Sequence, residues 1–367
     1  MPSYFVGNYF ESIYTLFMLE PIPTLVRAEA VYRKMPVNYK LGDFDFCKAE
    51  FAYQTNYVTA VHYRNVLVSD AGMVFDAALK LVPVTKVDGK KINPLNNIKR
   101  IVFWPRKRGT AAEYVLCFDA CSSNHYHWIC DFLPRLYAAK HLFGSHVFLL
   151  PDTPYVRTTG MEMLQLMGLQ PPAIEWVQPR TMLKLKNLTI IDRPVKSGRI
   201  HDPLMMSLKK LLHKSFSITQ PPPAKRIYIS REDAQHRKLL NEHEVQAVFI
   251  DHGFEIIRFE HLSMKEQIQF AQSSAVLASI HGAGLTNAFF MQPGAAVMEF
   301  RRNGIYKNQC FWHLADAMQL DYYYQFGTPD SNRFIEGPNG CNLSISTDVL
   351  EKNLNLFLSR QSMSLAR

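Results

Sequence analysis

Ala275-Val-Leu-Ala-Ser-Ile-His-Gly-Ala-Gly-Leu-Thr-Asn287 is the stretch whose reading decides the fold. The apolar run 275–280 reads as a buried strand and 281–287 as a glycine-rich turn. Ala288-Phe-Phe-Met291 follows as a short helix. Beyond Pro293-Gly294, residues 297–300 read as a second strand. Strand, turn, helix and strand make a βαβ unit. Two glycines let the backbone come close to a ligand, and the start of a helix presents N–H groups that favour an anion. Thr286 and Asn287 add side-chain donors. His281, Gly282, Ala283, Gly284, Leu285, Thr286 and Asn287 are therefore a candidate diphosphate cradle. The plain alternative is a tight strand-to-helix turn that binds nothing.

Outward from this unit, strands and helices alternate. Upstream, 226–230 reads as a strand and 241–252 as a helix with Asn241 and Glu244 as a capping box. Residues 254–259 read as a strand, and 263–272 as a helix with a Ser263–Glu266 box. Downstream, 321–326 reads as a strand and 349–359 as an amphipathic helix with Leu350, Leu354, Phe357 and Leu358 on one face. The rhythm is also present earlier. Residues 101–104, 114–118, 147–150 and 188–191 read as strands, and 126–142, 161–167 and 203–213 as helices. Such alternation predicts parallel sheets covered on both faces. Residues 1–100 are less legible, with strand-like pieces at 61–68 and 73–75.

Pro221-Pro222-Pro223 cannot sit in a helix or a central strand, so 217–224 reads as a stiff linker. The expected organisation is an N-terminal α/β domain over 1–216, the linker, a second α/β domain over 225–340, and a terminal helix within 345–367. Two α/β halves form a cleft, and ligands bind beyond the carboxyl ends of the strands.

Two further polar clusters stand at such ends. Ser230-Arg-Glu-Asp-Ala-Gln-His-Arg-Lys238 follows a strand, and the planar forks of Arg231 and Arg237 suit phosphate oxygens. Asn124-His-Tyr-His-Trp-Ile-Cys-Asp-Phe-Leu-Pro-Arg135 lies on a helix. At about 100° per residue, Asn124, His127, Asp131 and Arg135 fall within an arc of roughly 80°. His127 and Asp131, one turn apart, can meet and act in proton transfer. Pro134 kinks the helix just beyond Asp131.

Composition sets outer bounds. The 367 residues favour two domains, and 47% hydrophobic with 20% charged residues is ordinary for a globular protein. The net charge of +9 (41 basic against 32 acidic residues) suits an anionic ligand or a membrane surface. The basic residues are scattered, which argues against nucleic acid. The aromatic stretch with Tyr4, Phe5, Tyr9, Phe10, Tyr14 and Phe17 permits peripheral membrane contact, although aromatics at this density more often belong to a core. No stretch is long and apolar enough to span a bilayer, and 1–20 makes a poor signal peptide. Cys47, Cys117, Cys121, Cys130, Cys310 and Cys341 show no paired short spacing and read as thiols in a reducing compartment. Asp43 and Asp45 have an Asp-x-Asp spacing but lie outside the legible rhythm, so no divalent metal is expected.

Taken in order, Asn124…His127…Asp131…Arg135, then Tyr228-Ile-Ser-Arg231 with Arg237 and Asn241, then His281–Asn287 with Pro293-Gly294 and Glu299, resemble glycosyltransferase family 61. The resemblance runs from about Val66 to Phe300. It implies a GT-B fold, two Rossmann-like domains facing a cleft, with a terminal helix often crossing back to the first. It implies an inverting, metal-independent transferase with a nucleotide sugar as donor, usually a UDP-sugar such as UDP-xylose or UDP-N-acetylglucosamine, and a glycan acceptor. No cofactor is required. The residue matches put the donor diphosphate at the glycine turn, with Arg231 and Arg237 near it. By analogy Glu299 binds the ribose hydroxyls, and His127, Asp131, Asn124, His125 and Arg135 belong to the acceptor side. Asp131 serves as base with His127 orienting it, or the reverse. The chain looks like a soluble bacterial relative that works on a surface or capsular polysaccharide from the cytoplasm, peripheral to the inner membrane. A nicotinamide-dependent oxidoreductase fits less well, because the turn has two glycines and follows a third strand. A non-catalytic binding module keeps the arginines but has no use for the base.

Overall fold

The computed structural model describes residues 24–86, 93–215, 222–303, 308–335 and 340–365. The N-terminal aromatic stretch and most of the proline-rich linker lie outside these residues.

The chain folds as mixed α/β. Its first part holds β1 (Thr24–Val26), β2 (Ala30–Tyr32), β3 (Ala52–Gln54), β4 (Val58–Ser69), β5 (Val74–Phe75), β6 (Arg106–Arg108), β7 (Tyr114–Leu116), β8 (Val147–Pro151), β9 (Ile174–Val177) and β10 (Met182–Ile191). The sheet order is β1-β4-β10-β7-β8-β9, with β5 on β4 and β6 on β10. β10, β7, β8 and β9 run parallel, whereas β4 pairs with β10 antiparallel. β2 and β3 form a separate antiparallel ribbon. The helices here are α1 (Pro94–Phe103), α2 (125–138), α3 (Met161–Leu166) and α4 (Asp202–Ser215).

The second part holds β11 (Lys225–Ile229), β12 (Glu255–Ile257), β13 (Ser274–Ile280), β14 (Ala296–Arg302), β15 (Asp321–Pro329) and β16 (Leu343–Ser344) in the order β12-β11-β13-β14-β15-β16. The first five are parallel and β16 is antiparallel. β13 and β14 are buried at every residue, as strands covered on both faces must be. The helices are α5 (Glu242–Asp251), α6 (Met264–Ser273), α7 (Cys310–Ala317) and α8 (Thr347–Leu365). One apolar core runs through both sheets, joining Leu149 and Ile190 to Ile227, Leu277 and Val297. A second core, with Tyr228, Phe249, Phe300, Leu350, Leu354 and Phe357, covers the far face of the second sheet.

Several expectations are corrected. Residues 101–103 close helix α1 and Trp104 is its C-cap, so this run is not a strand: Asn93 accepts from the Leu95 amide as N-cap, and Pro94 takes the first turn, where its missing N–H costs nothing. The box at Asn241 does not form. Its side chain is drawn instead to the Ile345 backbone, bonding both carbonyl and amide. The box at Ser263 and Glu266 does form. Helix α8 does not cross back. Leu350, Leu354 and Phe357 bury it against the second sheet. The bridging segment is N-terminal. The Val37 amide bonds the Tyr322 carbonyl at 2.8 Å, Asn38 bonds the Tyr324 backbone, and Arg33 joins Asp202 to Asp316. Asp43 and Asp45 do not converge, since Asp43 accepts from Tyr324 and Asp45 pairs with Lys48.

Candidate functional site

In the second sheet the strand order reverses between β11 and β13, which are neighbours although β12 lies between them in sequence. Crossovers leave such a point on opposite faces, and a crevice opens beyond the carboxyl ends. Arg231 follows β11 and His281-Gly282 follow β13, so the two clusters meet there. They adjoin a cleft of about 570 Å3 lined from one side by Ser123, Asn124, Tyr126 and His127 and from the other by Arg237, His281, Gly282, Ala283, Asn308 and Phe311.

Arg231 and Arg237 are half-buried, and neither forms a salt bridge among the described residues. Arg231 donates from Nε to the Arg237 carbonyl at 3.2 Å. The Arg237 Nε is buried without a hydrogen-bond partner. Burial pushes the Arg237 guanidinium down to about 10, and the neighbouring Arg231 adds to the effect. Arg231 is also lowered by burial, partly offset by Glu260 and Glu242. Two half-buried cations that repel each other are stabilised by a bound anion. Residues 283–290 form a 3-10 helix, whose first amides lie outside its own ladder.

The cradle is narrower than the sequence suggests. His281, Gly282 and Ala283 line the cleft. Gly284 instead packs on Ile229, and Leu285, Thr286 and Asn287 are fully buried. Asn287 donates to the Gly284 carbonyl at 3.0 Å, which closes the turn. Neighbouring structure covers all three, so none of these side chains lines the cleft. Glu299 is only 2% exposed. Its carboxylate accepts from His281 Nδ1 and Tyr322 Oη, each at 2.5 Å, so it stands behind His281 and does not line the cleft. Burial would raise this carboxyl, but Arg301 and His281 outweigh it and hold it below its ordinary value.

On the opposite wall Asn124 caps helix α2 by accepting from the Tyr126 amide. The helix widens to a π turn over Trp128–Phe132, just before Pro134, which has no N–H to give. His127 donates from Nδ1 to Asp131 Oδ2 at 2.7 Å. Asp131 is 4% exposed, while the His127 side chain keeps 27% and lines the cleft. The pair therefore presents the imidazole and hides the carboxylate. Ser197 donates to Asp131 at 2.8 Å, and Arg193 stands 3.8 Å away. Two other acceptor-side candidates turn away. Arg135 is buried, bonding the Asp131 carbonyl and pairing with Asp119 at 2.5 Å. His125 meets the Tyr155 hydroxyl at 3.0 Å, and burial lowers its pKa to about 4.

Sequence reading missed Ser197, Arg193, Asp119, Tyr322 and Arg301, and also Asn308 and Phe311 from the cleft wall. None sits in a motif, and each reaches the site only through the fold. No disulfide joins the six cysteines. Among the described residues no group of three or more His, Cys, Asp or Glu is placed to hold a metal, and no helix is long and apolar enough to cross a membrane.

Residues 125–298 match the sequence model of Glycosyltransferase 61. The chain is also similar to EGF domain-specific O-linked N-acetylglucosamine transferases. That of Bos taurus is 24% identical over 235 residues, 57% of this chain and 44% of the relative. That of Mus musculus gives the same figures, and that of Drosophila melanogaster is 24% identical over 213 residues, 51% of this chain and 40% of the relative. The chain thus spans less than half the length of these relatives. The matched region, residues 125–298, contains the His127–Asp131 pair, both arginines and the glycine turn, so these residues in and beside the cleft lie in the part of this chain similar to Glycosyltransferase 61.

Proposed function

We propose that the chain is an inverting, metal-independent glycosyltransferase of GT-B arrangement that uses a nucleotide-diphosphate sugar. The carrying observation is that Arg237, half-buried beside Arg231 and like it without a salt bridge among the described residues, lines one cleft with His127 of a histidine–aspartate pair. The diphosphate binds against these arginines and the amides of the glycine turn. His127 is the base, because its ring faces the cleft. With Nδ1 donating to Asp131, Nε2 accepts the proton of an acceptor hydroxyl, and Asp131 stabilises the imidazolium. The acceptor oxygen attacks the anomeric carbon from the face opposite the diphosphate, the glycosidic C–O bond to phosphate breaks, and the electron pair leaves with the diphosphate. The arginines stabilise that developing charge.

The relatives' names favour UDP-N-acetylglucosamine over UDP-xylose as donor. They also widen the acceptor class, from glycan hydroxyls to hydroxyls on a folded polypeptide. A melting-temperature panel of nucleoside diphosphates and UDP-sugars, with and without EDTA, on wild type and Arg231→Ala, tests the reading. The expected result is stabilisation by UDP or a UDP-sugar that is indifferent to EDTA and weaker in the variant. A folded protein that no nucleotide stabilises would sink the donor site.

A further inference from the structure

Helix α1 is amphipathic in an unusual sense, since its outward face is the apolar one. Leu95, Ile98, Val102 and Phe103 are 64%, 54%, 63% and 77% exposed. At 100° per residue they span an arc of about 140°. The inward face is already occupied. Asn97 is buried, and Ile101 and Trp104 pack against the cluster of Leu67, Phe75 and Met182. Arg100 bonds Asn97 and lies 5.4 Å over the Trp104 ring. The helix is thus fixed to the protein by one side and presents large apolar side chains on the other.

Charge decides between occupants. Between Asn93 and Ala112 the sequence has five basic residues (Lys99, Arg100, Arg106, Lys107, Arg108) and no acidic one. All but Arg100 are exposed. Lys99 lies within the apolar arc, and the β6 strand Arg106-Lys107-Arg108 follows the helix directly. Long basic side chains beside an apolar face can bury their stems while their heads reach anionic groups. A second copy of the chain would set these cations against themselves. An anionic bilayer surface meets both features at once, with the apolar side chains entering the acyl boundary and the cations at the headgroups.

We propose that α1 and the following basic strand dock this protein on the surface of an anionic bilayer, with the helix lying in the interface plane. The proposal is independent of the reaction assigned to the cleft.

Co-sedimentation of the full chain with vesicles tests it, comparing neutral phosphatidylcholine with a mixture containing phosphatidylglycerol. The expected result is binding to the anionic vesicles that weakens with salt and is much weaker on neutral ones. Lys107→Gln with Arg108→Gln lowers partitioning on the order of 30-fold, since each basic residue contributes roughly fivefold. Val102→Ser with Phe103→Ser lowers it at least about tenfold, the melting temperature being kept. Equal binding to both vesicles, or none, overturns the proposal. So does anionic binding that both variants retain, which would place the contact in another segment. Elution of wild type as a dimer that the serine variant converts to monomer overturns it too, and makes the face an interface between copies.

Discussion

The guanidinium of Arg231 lies against the α-carbon of Gly282, so that a methyl group added there would come within 2.9 Å of Nη1 and 3.3 Å of Cζ. The backbone at Gly282 is extended, with φ −179°, and any residue can adopt it. What glycine provides is the close approach of the arginine, not a special turn. Gly282→Ala should displace the end of a flexible side chain and leave the fold alone. The melting temperature without ligand should stay within about 2 °C of wild type, while the dissociation constant for UDP rises about tenfold. Thermal unfolding without ligand and calorimetric titration with UDP read the two effects apart, and wild-type UDP affinity would place the anion elsewhere.

Arg237 is expected to trade stability for binding. Its charge is half-buried beside Arg231 without a salt bridge among the described residues, so Arg237→Met should leave the unliganded protein as stable or up to about 1 kcal/mol more stable. UDP affinity should fall about 10- to 100-fold. Urea unfolding with and without UDP measures the two separately.

The roles in the His127–Asp131 pair separate by kinetics. With the imidazole in the cleft and the carboxylate behind it, His127→Ala should lower kcat about 10²- to 10⁴-fold with little change in donor affinity. Asp131→Asn should also lower kcat, because the ring loses its orienting acceptor. A His127→Ala enzyme at near wild-type rate beside an inactive Asp131→Asn would make the carboxylate the base.

Asp119 ties two buried cations together. Arg135 and Arg193 each reach the same Oδ2 at 2.5 Å. Burial alone would raise the Asp119 carboxyl, but these arginines outweigh it and hold it below its ordinary value. Its stabilising contribution is therefore present above the unfolded value of about 3.9 and is lost as pH falls below that through the lower folded value. Asp119→Ala should cost about 3–5 kcal/mol at pH 7 by leaving the buried Arg135 without its carboxylate and Arg193 with only Asp131, 3.8 Å away. Adding Arg135→Met should recover part of that loss in a double-mutant cycle.

His125 predicts a separate acid sensitivity. Its folded pKa, near 4, lies below the ordinary 6.5 because burial disfavours the cation. Above 6.5 neither folded nor unfolded chain holds this proton. Between 6.5 and 4 only the unfolded chain takes it up, so stability falls with pH over that window, by on the order of 3 kcal/mol in full. His125→Asn should flatten the decline in urea midpoints between pH 7 and 4.5. An unchanged slope would assign the sensitivity to another group.

The second sheet is legible in the sequence because its strands are short apolar runs between capped helices, as at Ala275–Ile280 and the Ser263–Glu266 box. Helix α1 was not. Ile101-Val-Phe-Trp104 has the β-branched and aromatic content of a strand, and the Asn93-Pro94 start signal precedes it by a full two turns. Only Ile101 and Trp104 of that run find apolar partners, which periodicity could not show. Asn241 failed as a cap for a related reason, since a distant backbone at Ile345 competes for the same amide.

What the sequence by itself determined is local. His127 meets Asp131 because four residues make one helical turn, and the glycine turn follows a buried strand because both are written within a dozen residues. The tertiary structure alone decided which of these groups face the cleft. Arg231 reaches Gly282 only because β11 and β13 are neighbours, and strand order depends on long-range packing that no local period encodes. The same packing turned Glu299, Arg135 and Asn287 inward, where buried polar atoms must find partners within the protein. It left the His127 ring partly exposed in the cleft, because its Nδ1 found its partner and its ring edge found open space.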